Sequence, residues 1–541
     1  MLLAGCTPVS ESSGPTTTPT ASTSAGGAGL VPDSISQVLA NSLTPDYKED
    51  DLVWDQSNEV PITLSDSGSS GGAGVGVDGS VVTVSKPGTY RVTGTLSDGQ
   101  LAVEGTGVVR LILDRVSITN NSSSALVAQG VDKLIIITAE DTVNTLTDGT
   151  TYVYPDADTT EPDAALFSSV DTVLGGDGEL AVNGRATDAV TSKDGLVIAS
   201  GTLDVTAVDD GIKGRDYLVV SGGVVTATTG GQGLKSTKDS DQAAGYILVS
   251  GGTVTVTTTG QSSDCVNAVT NALFTGGDMT LSCTDDAVHA DERLMVEGGT
   301  ITVTDSYEGL ESAVVVVSGG KVDVTSSDDA INATYGNGAD NPGAGRPGGA
   351  PGAQTTPGAQ NGPPGGFAGR NGATPGTGGG PNATGGRPGR GGGFGGEAVE
   401  NATVAIRGGE ITLNAGGDGI DSNGTITISG GTTIASGANR AGDGALDSNG
   451  SFQVSGGTVA AIGGSSRMLR TPDETSPQAW FSQDLTINAG DVISVTTRNG
   501  VFTFTASKQA QNLVFTSADL AAGATVSVGG GSPVTPEYHG G

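Results

Sequence analysis

The chain has 541 residues, of which 91 are Gly and only 4% are aromatic. With 59 acidic against 24 basic residues its formal net charge is −35, which argues against unassisted binding to nucleic acid or any other polyanion and suits multivalent cations. Gly stands far above its usual share of about 7%, Val and Thr are abundant, and no long segment has helical periodicity, so the reading is all-β.

In chain order, Leu3-Ala4-Gly5-Cys6 opens a Ser/Thr/Pro/Gly-rich stretch. It is similar to the lipobox of a bacterial lipoprotein followed by a tether, which makes residues 1–45 a signal remnant and flexible tether with the lipid on Cys6. The expectation is therefore an extracellular, cell-surface lipoprotein anchored to the cytoplasmic membrane. No other segment approaches 18 consecutive apolar residues, so membrane contact is expected only through that anchor. Residues 46–185 carry irregular strands such as TYRVTG and KLIIITA and are read as the N-terminal cap and first rungs.

Residues 186–335 hold a regular repeat. Gly-Gly followed by an alternating strand recurs at Gly222-Gly223, Gly251-Gly252, Gly276-Gly277, Gly298-Gly299 and Gly319-Gly320, and again at Gly408-Gly409, Gly430-Gly431 and Gly456-Gly457. Residues 336–397, rich in Gly and Pro, form an insertion expected to be disordered. Further rungs follow at 398–464, and 465–541 read as a C-terminal β cap over the open sheet edge.

Between the Gly-Gly strands lies a second element: an acidic residue, a small one, an aliphatic one, a polar one. It runs from Asp188 to Thr191, Asp210 to Lys213, Asp264 to Asn267, Asp286 to His289, Glu308 to Glu311, Asp329 to Asn332 and Asp418 to Asp421, with Gln232 standing in once before Lys235. Asp443 to Asp447 repeats it with one extra residue. A step of about 22 residues with two or three short strands specifies one rung of a right-handed parallel β-helix, because a single rung cannot bury its own apolar face and stacked rungs can.

Rungs about 4.8 Å apart stack equivalent residues in columns, and two charges about 5 Å apart repel by roughly 3 kcal/mol at an effective dielectric near 20. With few Lys and Arg nearby, calcium, which takes six to eight oxygen ligands, suits the column. The candidate ligands are Asp209, Asp210, Asp264, Asp285, Asp286, Glu308, Glu311, Asp328, Asp329, Asp418, Asp421, Asp443 and Asp447. Turn chemistry explains one such Asp, but not a column of them. Cys265 and Cys283, 18 residues apart, are candidates for a disulfide across neighbouring coils, which export permits. His289 reads as a turn residue.

Several stretches carry a family resemblance: TYRVTGTLSDGQLAVEG (89–105), LTDGTTYVYPDAD (146–158), the run through Asp209 to Asp216, and Tyr307 to Ser312. They resemble bacterial carbohydrate-binding-domain proteins with a polysaccharide-lyase-like, calcium-binding parallel β-helix, of the clostridial cellulolytic type. The resemblance implies binding of plant cell-wall or acidic polysaccharide with calcium on the β-helix, and the reading adopted here is a monomeric, non-catalytic cell-surface protein. Candidate sugar contacts are Lys213, Arg215, Lys235 and Tyr307. Two alternatives remain open at this point: a calcium-dependent polysaccharide lyase, and a structural or adhesive β-solenoid.

Overall fold

The computed structural model describes residues 31–334, 402–439, 443–464 and 470–541; the expected lipid site at Cys6 and the Gly/Pro-rich insertion lie outside them. The chain forms a parallel β-helix. One continuous sheet of 37 strands winds through it, and nearly all of its pairings are parallel.

Each regular rung has three strands. In one rung these are Asp188–Ser192, Gly195–Ile198 and Thr202–Ala207; in the next they are Ile212–Gly214, Tyr217–Val220 and Val224–Thr229. The register pairs Val190 with Ile212, Leu196 with Leu218 and Leu203 with Val225, a step of 22 residues on every face. Third strands alternate cleanly: in Val224–Thr229, Val224, Thr226 and Thr228 face solvent and Val225 and Ala227 face the core. Strand after strand, the inward Val, Ile and Leu merge into one continuous apolar column, the arrangement that a half-buried strand of period two requires.

The Gly-Gly corner has two separate causes. A Cβ on Gly222 would lie 2.4 Å from the carbonyl oxygen of Ala199 in the rung before, so only glycine lets the corners stack. Gly223 itself has φ +81°, in the left-handed region, and its counterparts through Gly457 share that conformation.

Second strands behave differently. Tyr217–Val220 and Leu134–Ile137 are buried along their whole length, with no alternation. The cause is the segment 31–59, part of which falls in the expected tether. It runs along the outside of the second strands as a strap, opposite to the direction in which the rungs advance. Its short helix Ile35–Leu39 begins where the Ile35 amide donates to Glu297 Oε1 at 2.7 Å. Arg407 Nη1 donates to the Pro32 carbonyl at 2.6 Å, Tyr246 Oη donates to Leu43 O at 2.7 Å, and Arg110 Nε donates to Asp51 O at 2.9 Å. Beneath it lies a second apolar cluster that includes Ile35, Ile137, Val197, Tyr246 and Met295. A strand buried on both faces reads as an unbroken apolar run.

The insertion enters between two faces of one rung, since Leu310–Val317 pairs with Ile331–Ala333 on one side and with Thr403–Ile406 on the next. At the C-terminal end Ala510–Ser517 runs antiparallel to the last parallel strand, Phe452–Gly463, and covers its edge. That segment has its own core, centred on Phe481, Leu513 and Phe515. Cys265 and Cys283 form a disulfide with Cα atoms 5.6 Å apart.

Candidate metal centre

The first strand of each rung, with the turn before it, builds one edge of the helix. The inward aliphatics Val190, Ile212, Leu234, Val266, Val288, Leu310 and Ile331 are in register. Two residues before each lies the first column: Asp188, Asp210, Gln232, Asp264, Asp286, Glu308 and Asp329, continued by Asp418. One residue after each lies a second column: Thr191, Lys213, Lys235, Asn267, His289, Glu311 and Asn332, continued by Asp421 and Asp447.

The first column has a structural role that needs no ion. Asp188 Oδ1 accepts the Asp210 amide at 3.1 Å, Asp210 Oδ1 that of Gln232 at 3.0 Å, and Asp264 Oδ1 that of Asp286 at 3.0 Å. Gln232 Oε1 does the same for Asp264, Asp329 Oδ1 for Asp418 at 2.7 Å, and Asp418 Oδ1 for Gly444. A buried amide left without a partner costs about 1–3 kcal/mol, so each of these corners needs an oxygen-bearing side chain. This corrects the view that turn chemistry could not repeat an acid rung after rung, and it explains why Gln232 substitutes for one. The register also places Gly444, not Asp443, level with Asp418, because the bridge Ile420–Leu446 absorbs the extra residue.

The remaining carboxylate oxygens differ from end to end. In the early rungs they meet ammonium groups. Lys213 Nζ pairs with Asp188 Oδ2 and lies 3.9 Å from Asp210 Oδ2; Lys235 Nζ lies 2.8 Å from Asp210 Oδ2. The expectation that cations near the column are few fails here, and these two candidate sugar contacts are engaged with the column itself. Burial works against the Lys213 charge, but Asp188 overrides it and lifts the ammonium above its ordinary range. Burial pushes Asp188 up to about 6 despite that lysine.

In the middle rungs amides replace the lysines: Asn267 Nδ2 donates to Asp264 Oδ2 at 2.6 Å and Asn332 Nδ2 to Glu308 Oε2 at 2.9 Å. His289 is not in a turn; it is in strand Val288–Val296 and faces three carboxylates.

In the late rungs the second column is itself acidic. Asp418, Asp421 and Asp447 offer oxygens within 4.8 Å of one another. Among the described residues, no ion pair reaches these three or Asp329. Burial first, and then Asp421, pushes Asp329 up to about 8. Burial, with Asp329 and Asp421 adding to it, pushes Asp418 up to about 9; burial and Asp447 push Asp421 up to about 6. Burial and neighbouring carboxylates both disfavour the charged form, and a cation beside them would favour it.

Asp209, Asp285, Tyr307, Asp328 and Asp443 lie one residue before the first column. Asp209 joins Asp188 and Asp210, and Asp285 joins Asp264 and Asp286, in two further groups whose oxygens lie within 4.8 Å. Arg215 is 40% exposed, 3.6 Å from Asp216, and Tyr307 is 43% exposed. Tyr217 and Tyr246 stack with ring centroids 5.8 Å apart under the strap. Asp188 and His289 belong to these groups although neither is in the ligand set expected from the repeat. The signal was their place in the four-residue element.

A family model of carbohydrate-binding domain-containing proteins matches residues 78–339, just under half of the chain. A carbohydrate-binding domain-containing protein of Acetivibrio thermocellus is 32% identical over 136 residues, which is 25% of this chain and 48% of that protein. The match thus spans about half the length of the curated relative. Among solved structures, the polysaccharide lyase-like protein from C. thermocellum, a gadolinium derivative, aligns at 26% identity with a TM-score of 0.41, covering 46% of this chain and 97% of that one. Over residues 78–339 this chain is similar to carbohydrate-binding domain-containing proteins.

Proposed function

We propose that this protein is a non-catalytic carbohydrate-binding protein of the cell surface, and that calcium on the late rungs of its acidic edge links it to an acidic polysaccharide. The observation that carries the calcium is the group Asp418, Asp421 and Asp447 with Asp329 beside it: Asp418 is buried and the others half-buried, and burial with neighbouring carboxylates raises Asp329, Asp418 and Asp421. Oxygen-only donors fit a hard cation, and calcium accepts the flexible geometry that side chains from successive rungs impose. A calcium ion that keeps some of its sites for water would exchange them for a uronate carboxylate. The carbohydrate half of the reading draws on the family description of residues 78–339 and on the printed name of the Acetivibrio thermocellus relative.

Binding without catalysis is favoured by the lysines. An elimination base needs a lowered pKa, and Lys213, beside the column, is shifted up by its buried aspartates. A lipid on Cys6 and a position outside the cell belong to the same proposal; the disulfide suits an oxidising compartment.

The test is calorimetric titration of calcium into chelator-stripped protein, followed by polygalacturonate with and without calcium. Saturable calcium uptake and uronan binding that requires it are expected. Absence of calcium heat would remove the metal. Calcium uptake with no glycan bound would leave a structural solenoid, and an unsaturated product from the polymer would make the protein a lyase.

A further inference from the structure

We propose that Asp286, His289 and Glu311 form a site for a divalent transition-metal ion of the zinc type, different in kind from the oxygen-only groups of the late rungs. The three side chains come from two successive rungs, and their donor atoms lie within 4.8 Å of one another. His289 Nδ1 is 3.3 Å from Asp286 Oδ2 and 2.7 Å from Glu311 Oε2. A tetrahedral centre with bonds of about 2.0–2.1 Å has donors roughly 3.3 Å apart. The first distance already has that value, and the second reaches it when Glu311 withdraws by about 0.6 Å.

One ring nitrogen facing two carboxylate oxygens is a poor hydrogen-bonding arrangement. A single N–H on Nδ1 serves one carboxylate at a time, and Asp286 and Glu311 also bond each other, so the three donors already converge. A metal ion bonds all three donors at once. Imidazole nitrogen with carboxylate oxygen selects zinc and its neighbours over calcium, which takes oxygen ligands.

The opposite side of the ring supplies an independent indication. His289 Nε2 lies 3.0 Å from Asp291 Oδ1. A histidine that binds metal through one nitrogen usually donates the other N–H to a carboxylate, which holds the tautomer and the ring plane. Asp291 occupies that position, in a β-bulge where residues 291 and 292 face one residue of the next rung. The site is enclosed: the side chains of Asp286, His289 and Glu311 are 3%, 12% and 12% exposed. Three protein donors leave a fourth position for water or another small ligand.

The experiment is equilibrium dialysis of zinc against chelator-stripped full-length protein with calcium in excess, repeated with cobalt to read the visible absorption of a tetrahedral centre. One zinc per chain that excess calcium does not displace is expected, with loss of that uptake in His289→Ala. Asp291→Asn, a change at a side chain 38% exposed, keeps the fold and weakens uptake by about 10–100-fold. Zinc uptake unchanged in both variants, displacement by calcium, or no uptake by the folded wild type would each overturn the site and leave His289 as a hydrogen-bonded member of the second column.

Discussion

The two ends of the acidic edge share a backbone and differ in chemistry. In both, a first-column oxygen accepts the amide of the next rung. In the early rungs the second column supplies Lys213 and Lys235, and the charges close within the protein. In the late rungs it supplies Asp421 and Asp447, and among the described residues no ion pair closes their charge. The first column thus keeps one oxygen role along the edge, whereas the second column changes from ammonium groups to carboxylates.

The largest effect expected from breaking this contrast is in the early rungs. Lys213→Met strands the largely buried carboxylate of Asp188, while Asp210 keeps Lys235, and removing one partner of a buried pair costs about 3–5 kcal/mol. Urea unfolding should show that loss with or without calcium. In the late rungs the lever is the ion. Calcium at 100 times its dissociation constant stabilises by about 2.7 kcal/mol, so chelation should lower Tm, and Asp421→Asn with Asp447→Asn should abolish the response. A Tm indifferent to chelator in the wild type would break the contrast.

Next comes the oxygen role itself. Gln232→Leu removes the acceptor for the Asp264 amide and should cost about 1–3 kcal/mol, while Gln232→Glu keeps the acceptor and should change unfolding little. The smallest expected effect is a gain: without calcium at pH 7, Asp421→Asn relieves repulsion and should stabilise by about 1 kcal/mol, the worth of one pKa unit.

The pH dependence of the calcium-free protein should follow from Asp329 at about 8 and Asp418 at about 9. Ordinary carboxylates in the unfolded chain titrate near 3.9, so between about pH 4 and 9 the folded state binds more protons than the unfolded one. Stability should then fall as pH rises across that window. Differential scanning calorimetry in chelator checks this; a Tm that rises with pH through the window would contradict the assignment.

Much of this was legible in the sequence because the repeat is written in residues with narrow conformational uses. The Gly-Gly pairs mark a corner that only glycine fits, and the acid–small–aliphatic–polar element marks the edge. The pairing of Lys213 with Asp188 and of Lys235 with Asp210 was not legible, since each links residues 25 apart and becomes local only when rungs stack. Misplacing Asp443 had a similar origin: one inserted residue shifts the column, and only the backbone register shows where. The strap leaves a trace in the sequence. Ile35, Val38 and Leu39 are spaced i, i+3, i+4, and Leu134–Ile137 does not alternate. One signal belongs to the strap and the other to the face that it covers.

The strap also has a consequence for the order of assembly. Residues 31–59 are synthesised first, yet their seats extend from Arg91, through its neighbour Glu59, out to Glu297 and Arg407. Each rung leans only on its neighbours and can form as it emerges, whereas the leading segment finds its full seat only after the chain has passed residue 407. It is a latch closed at the end, and until it closes a stripe of Ile, Val and Tyr along the helix stays open to water.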